Sequence, residues 1–358
     1  MEESKDGRRW WPVVGSTAAT VLGCLMIAAL PRFVGASWPA IGTCLGAVPL
    51  PVIGALVVLW FLGLLVHVPV LTAALPGLGV RQALILNLSG SAVSNVLPVG
   101  GPAGMGLGYA MTRSWGFRPE AFASFTVATN LWNAVGKFVA GLGVLALAAV
   151  LGVPLPSGLA PVILGASAFV LVAGGAAAAT FRCESAAAGV GRRLDALLAR
   201  VRPGSDPLVC TGWLLSSRRE LVVVVRDGWR RMTVGVLLYL GLQAALLLAC
   251  LAAVGAEVPV GYVLIAFAIE RLISLAPITP GASGVAELGT VAALHFFGMD
   301  PVVAAAGVLL YRTLMFAIEI PIGGTIALGW LRRHRRGAGH IEAPVIAHVE
   351  LVTTGAAS

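Results

Sequence analysis

Apolar residues run along this chain in blocks of about 20 with few polar interruptions, the length a helix needs to cross a bilayer. Six blocks predict full transmembrane helices: 13–31, 46–68, 120–151, 160–181, 232–254 and 302–331. Two further apolar regions are cut in the middle. The first, 82–113, breaks at PVGGPAG, and the second, 261–297, breaks at PITPGASG. Their arms (82–97 and 102–113, then 261–276 and 284–297) hold 12 to 16 residues each. At about 1.5 Å per residue such arms reach only part of the way across. Each region therefore predicts a re-entrant helical hairpin that enters and leaves on one side. The expected fold is all-α and polytopic, with six full spans and two re-entrant hairpins.

Composition supports this reading. The chain is 58% hydrophobic and only 11% charged, with a mean hydropathy of +0.93. Soluble domains carry about 25% charged residues, so this chain lacks the polar surface a soluble fold of its size requires. Long apolar runs favour helices over a barrel, whose strands alternate in shorter segments.

Charge then sets an orientation. The net charge is +8, and the positives cluster at the N-terminus (Lys5, Arg8, Arg9), in 182–231 and in the tail (Arg332, Arg333, Arg335, Arg336). Segment 182–231 holds ten arginines against five acidic residues. With both termini in the cytoplasm, every basic cluster falls inside, as the positive-inside rule requires. The same arginines suit anionic inner-leaflet lipids, and no nucleic-acid partner is expected. Arg32 and an apolar run of about 18 residues argue for an uncleaved first helix rather than a signal peptide. Residues 1–336 are then one transmembrane domain of the cell membrane, with a cytoplasmic basic segment at 182–231. Within that segment, 184–201 has the pattern of a helix on the membrane surface. Residues 337–358 show no pattern and are expected to be a disordered cytoplasmic tail.

The arrangement contains a repeat. Two spans, a hairpin and a span (about 13–151) are followed by the same series (about 160–331), starting from the opposite side. SNVLPVGGPAG and SLAPITPGASG agree weakly, each with Ser, Pro and a Gly-rich turn. Inverted repeats with broken helices are a transporter architecture.

The breaks are the first candidate chemistry. Pro98, Pro277 and Pro280 stop helices, and Gly100, Gly101, Gly104, Gly281 and Gly284 permit close backbone approach; Asn95 and Thr279 add polar groups beside them. Each break exposes a new helix N-terminus with free N–H groups, suited to an anion; the alternative is a kink filled by neighbouring helices. No Lys-Ser/Thr follows the glycines and no strand precedes them, which excludes a nucleotide loop.

Charges within spans are the second. Lys137, Glu270, Arg271, Glu287, Arg312 and Glu319 all fall in apolar segments, where each is costly. Thr126, Asn130, Asn133 and Lys137 lie on one helix face. Arg312 and Glu319, seven apart, share a face of the last span. Lys137, Arg271 and Arg312 suit a phosphate; the glutamates either pair with them or carry a coupling proton. The alternative is a structural ion-pair set. His67 and His295 read as packing near span ends. No catalytic, metal-ligand or cofactor constellation is present, and the cysteines show no ligand spacing.

SAVSNVLPVGGPAG, the following MTRSWGF, and ERLISLAPITPGASGVAELG resemble the flippase-like transmembrane region of lysylphosphatidylglycerol synthases. The likeness covers roughly 13–331. Ala282 stands where a second glycine of a PGG turn is expected. In the full synthases a soluble domain modifies the lipid and the membrane part is held to move it between leaflets. The resemblance implies a translocase of a phospholipid or lipid-linked anionic headgroup, not an enzyme. The alternatives are an ion-coupled transporter of a small solute, or a non-transporting partner of a separately encoded lipid-modifying transferase.

Overall fold

A computed structural model describes residues 7–96, 100–156, 158–201, 209–257, 259–275 and 282–337. Among these the protein is all-helical. Pro98, Pro277, Thr279, Pro280 and Gly281, the two hairpin tips and the tail after Gly337 lie outside the described residues.

The N-terminal half comprises α1 (Gly7–Val34), α2 (Trp38–Gly46), α3 (Leu50–Ala74), α4 (Val80–Val96), α5 (Gly100–Ser114) and α6 (Pro119–Val150). The C-terminal half comprises α7 (Leu159–Arg182), α8 (Glu184–Val201), α9 (Val209–Ala253), α10 (Val260–Ile273), α11 (Val285–Phe296), α12 (Pro301–Arg312), a π-helical turn (Thr313–Ala317) and α13 (Glu319–Gly337). Sequence chemistry sets several of these limits. Pro119 opens α6 at a position where its missing N–H costs nothing. Asp300 caps α12, accepting from the Val302 and Val303 amides at 2.8 and 3.1 Å.

Four helical runs are long and apolar enough to cross a membrane: α3, α6, α9 and the run from Pro301 to His334. The pair Val21–Val34 and Trp38–Gly46, bent by 96°, makes a fifth if taken as one span. The protein is thus a multi-pass membrane protein. Its surface agrees: Leu50, Val150 and Leu171 are 81%, 83% and 72% exposed. Lipid, unlike water, stabilises such a surface.

One expected boundary shifts. The span expected at 232–254 is the C-terminal part of α9, which has 45 residues, or roughly 67 Å at 1.5 Å per residue. That is about twice the hydrocarbon thickness. Its N-terminal part, with Arg218, Arg219, Glu220, Arg226, Asp227, Arg230 and Arg231, therefore continues outside the bilayer. Helix α8 packs on this part, where Asp195 accepts from the Thr211 amide and hydroxyl at 3.1 and 2.5 Å.

The hairpin arms pack by close backbone approach. Helix α4 is gripped on both sides. A Cβ on Gly323 of α13 would strike the Leu88 carbonyl of α4, and one on Gly100 of α5 would strike the Ser94 carbonyl. Helix α10 is held in the same way. A Cβ on Gly141 of α6 would meet Leu272, and one on Gly289 of α11 would meet Ile273. In membranes, where apolar burial drives little association, such small-residue contacts hold helices together.

Candidate functional site

The in-span charges of the second hairpin come together. From α10, Glu270 and Arg271 form an ion pair. Arg312, at the end of α12, donates from Nε to Glu287 Oε1 at 2.7 Å and from Nη1 to Glu270 Oε1 at 3.3 Å. Arg271 also donates to Gln243 Oε1 at 2.7 Å and to the Tyr311 hydroxyl at 3.3 Å. All four charged residues are buried, and two glutamates balance two arginines. Phe267 stacks beneath Arg271 and Phe316 beneath Arg312, with 4.8 and 4.3 Å to the ring centres.

The second break holds its own anion. The Gly284 amide donates to Glu287 Oε2 at 2.6 Å, so this carboxylate caps α11 while pairing with Arg312. The N-terminus expected to bind a ligand anion is thus already occupied by Glu287. Gly284 has φ +86° and lies against Gly23 and Met26 of α1. Ala282 has φ +55°, a conformation that favours glycine.

The first hairpin carries no such cluster. It borders a cavity of 280 Å³ instead. Asn87, Gly90, Ser91 and Ser94 of α4 form one wall, with Gly104 of α5. The polar stripe of α6 forms the other: Thr126, Thr129, Asn130 and Asn133. His67 of α3 also lines it, with Leu71, Leu86, Met105, Phe122 and Phe125; it is buried at 5% exposure, its ring tilted against that of Tyr239 at 4.5 Å. His67 therefore does not sit at a span end, as its place in the sequence suggested. His295 is exposed near the end of α11, with Nδ1 3.1 Å from the Met299 carbonyl.

Lys137 stands one helical turn beyond Asn133 on the same face of α6. It lies within electrostatic reach of Glu270, Arg271 and Arg312, yet forms no ion pair with a described residue. It is the cation of this region that the two glutamates of the second hairpin leave over.

Glu319 separates from Arg312. A seven-residue spacing places both on one face only if the helix is regular. Pro321 cannot donate to Ala317, its i−4 carbonyl, and the chain answers with the π turn just before it. The Ile318 amide bonds to Thr313 O at 3.2 Å, five residues back. The extra residue rotates Glu319 away, and it accepts a hydrogen bond from Ser91 of α4.

Of the expected site residues, Gly104, Asn130 and Asn133 line the cavity. Asn95 donates to Ser91 at 3.2 Å, beside it. Asn130 also donates to Thr126 O at 2.8 Å. Gly100 and Gly104 serve the approach of α5 to α4, and Gly101 faces open space. Ser91, Ser94, Asn87, Gln243, Tyr239 and Tyr311 were not expected to line the site. Two left a trace: Ser94 is the serine of the SNVLPVGGPAG repeat, and Ser91 stands four residues before Asn95 and so on the same helix face.

Fold and site together define a multi-pass helical membrane protein with a polar cavity beside a buried, charge-balanced centre. The chain matches the family model of the lysylphosphatidylglycerol synthase TM region over residues 16–323, and it belongs to that family. Its membership relates it to lipid biosynthesis or translocation. No curated protein and no solved structure matches the chain significantly.

Proposed function

We propose that this protein moves a phospholipid, or another lipid with an anionic headgroup, between the leaflets of the cell membrane and does no chemistry on it. The observation that carries the reading is the 280 Å³ cavity in the helical bundle, where hydroxyls and amides of α4 and α6 face each other beside apolar side chains such as Leu71, Leu86 and Phe122. A headgroup moving along α6 finds hydrogen-bond partners at Thr126, Asn130 and Asn133. Lys137, one turn further, meets its phosphate as a point charge. The acyl chains stay in lipid. Arg271 and Arg312 act indirectly, because Glu270 and Glu287 already neutralise them.

The inverted repeat of six spans and two re-entrant hairpins belongs to this proposal, with both termini cytoplasmic. Its support is an exchange of partners. The first arm of hairpin one, α4, packs on α13 in the last span, and the first arm of hairpin two, α10, packs on α6 in the third. An inverted two-fold repeat produces such an exchange.

The test is lipid translocation in proteoliposomes. Gly90 lines the cavity and has nothing within 4 Å of an added Cβ. Gly90→Leu therefore starts into open space and fills part of the cavity, and it should cut the rate at least about tenfold, a change of 1.4 kcal/mol in barrier. Lys137→Gln should lower the rate for anionic lipids more than for zwitterionic ones. Wild-type rates equal to those of protein-free vesicles would sink the proposal. Uptake of a water-soluble solute would replace it with an ion-coupled transporter, and activation of a separate transferase without translocation would replace it with a partner role.

A further inference from the structure

Glu319 differs from Glu270 and Glu287 in having no cation among the described residues. Its side chain lies inside the bundle at 6% exposure. Glu270 and Glu287 are paired to arginines, whereas no ion pair reaches Glu319 among the described residues. Its neighbours supply no charge to balance it. From α4 come Ser91, which donates to it, and Asn95, which donates to Ser91; Arg81 of the same helix is ten residues away, about 15 Å along the axis. From α9 comes Tyr239, within electrostatic reach of both Glu319 and Arg271. From α3 come Trp60, whose indole faces Glu319, and His67, whose ring is tilted against that of Tyr239 and whose Nδ1 lacks a hydrogen-bond partner among the described residues. Arg312 of α12 is engaged by Glu270 and Glu287.

An ionised carboxylate buried in this way is costly, and the cost is removed by a proton or by a metal cation. A metal cation requires several oxygen ligands, and the described residues contain no group of acidic or imidazole side chains able to hold one. A proton requires only the carboxyl and a route to water. Ser91, which donates to Glu319, also lines the cavity and so joins the carboxyl to it.

We propose that Glu319 is a proton-binding site that opens onto the headgroup cavity through Ser91, and that its proton couples to the passage of substrate. The step is a simple transfer: a proton from water in the cavity binds a carboxylate oxygen of Glu319, and Ser91 turns from donor to acceptor as it does so. With the proton on, α4 and α13 meet through a neutral contact; with it off, the negative charge adjoins the cavity and opposes an anionic headgroup. The coupling rests on the translocase reading, whereas the proton site does not.

Two measurements keep these apart. The first is infrared titration of the carboxyl C=O band in purified protein between roughly pH 4 and 10. Wild type should show a protonated-carboxyl band that fades as pH rises, and Glu319→Gln should lose it. Ser91→Ala removes a donor to the ionised form and should move the midpoint up by about one pH unit. A band that persists in Glu319→Gln, or no titrating band in wild type, overturns the site. The second is lipid translocation under an imposed pH gradient. The gradient should accelerate wild type several-fold and leave Glu319→Gln unaffected. Wild-type transport indifferent to the gradient overturns the coupling even if the carboxyl titrates. A titrating Glu319 in a protein that moves no lipid refutes the translocase and keeps the proton site.

Discussion

In the first hairpin α4 lies between Gly323 of α13 and Gly100 and Gly104 of α5; in the second, α10 lies between Gly141 of α6 and Gly289 of α11. Both use glycines to bring a short helix against its partners. Their chemistry then diverges. Hairpin two brings Glu270, Arg271 and Glu287 to Arg312, fills the space with them and leaves nothing unbalanced. Hairpin one brings hydroxyls and amides to a cavity and places no Asp, Glu, Lys or Arg in its lining. Glycine packing fixes how the arms sit, and the residues facing the bundle decide whether the hairpin is a lock or an opening. A region that neutralises itself has no use for a charged guest. A polar region with room to spare can accept one.

The contrast can be tested at three levels. The largest effect is expected from Arg312→Ala, which leaves Glu270 and Glu287 short of a partner in a buried site. It should destabilise the protein by roughly 3–5 kcal/mol, read as thermal unfolding in detergent, and adding Glu287→Gln should recover part of the loss. Ser94→Ala in hairpin one should shift unfolding by less than about 1 kcal/mol. A small loss in Arg312→Ala would remove the distinction between lock and opening. Next come Gly323→Leu and Gly141→Leu, each expected to cost about 1–3 kcal/mol or more through overpacking. Gly101→Ala, in open space, serves as the neutral control. If only one of the two leucine variants is sensitive, the shared packing device is not shared. The smallest effect is expected at Ala282, held at φ +55° beside the second break. Left-handed backbone costs a non-glycine residue roughly 1–2 kcal/mol, and glycine gives back part of this as unfolded-chain entropy. Ala282→Gly should therefore raise stability by up to about 1 kcal/mol.

Much of this architecture is legible in the amino-acid pattern. The arms expected at 82–97 and 102–113 are α4 and α5, and those expected at 261–276 and 284–297 are α10 and α11. The stripe Thr126, Asn130, Asn133 became a cavity wall, because an apolar span has no other reason to align amides on one face. Three features stayed hidden. The charged stretch 209–231 reads as a loop by hydropathy, yet charged residues extend a helix readily once it leaves lipid. The π turn follows from where Pro321 falls, but its effect on the register of Arg312 and Glu319 appears only when the helix is built. Gln243 and Tyr311 are single polar residues in apolar runs, and such residues are too common to mark a site until their partners are known.

The length of α9 has a mechanical consequence. One unbroken helix carries Tyr239 and Gln243 beside the charged centre and, near its other end, Thr211 bonded to Asp195 of α8. Gly228 and Gly235 rest on Ala73 and Val70 of α3 between the two, like the fulcrum of a lever. A tilt of about 5° midway between them would swing the Thr211 end by roughly 3 Å and the Gln243 end by about 1.5 Å in the opposite sense, at 1.5 Å of arm per residue. A small tilt at the Gln243 end would thus be enlarged where α9 meets α8, without any further moving part.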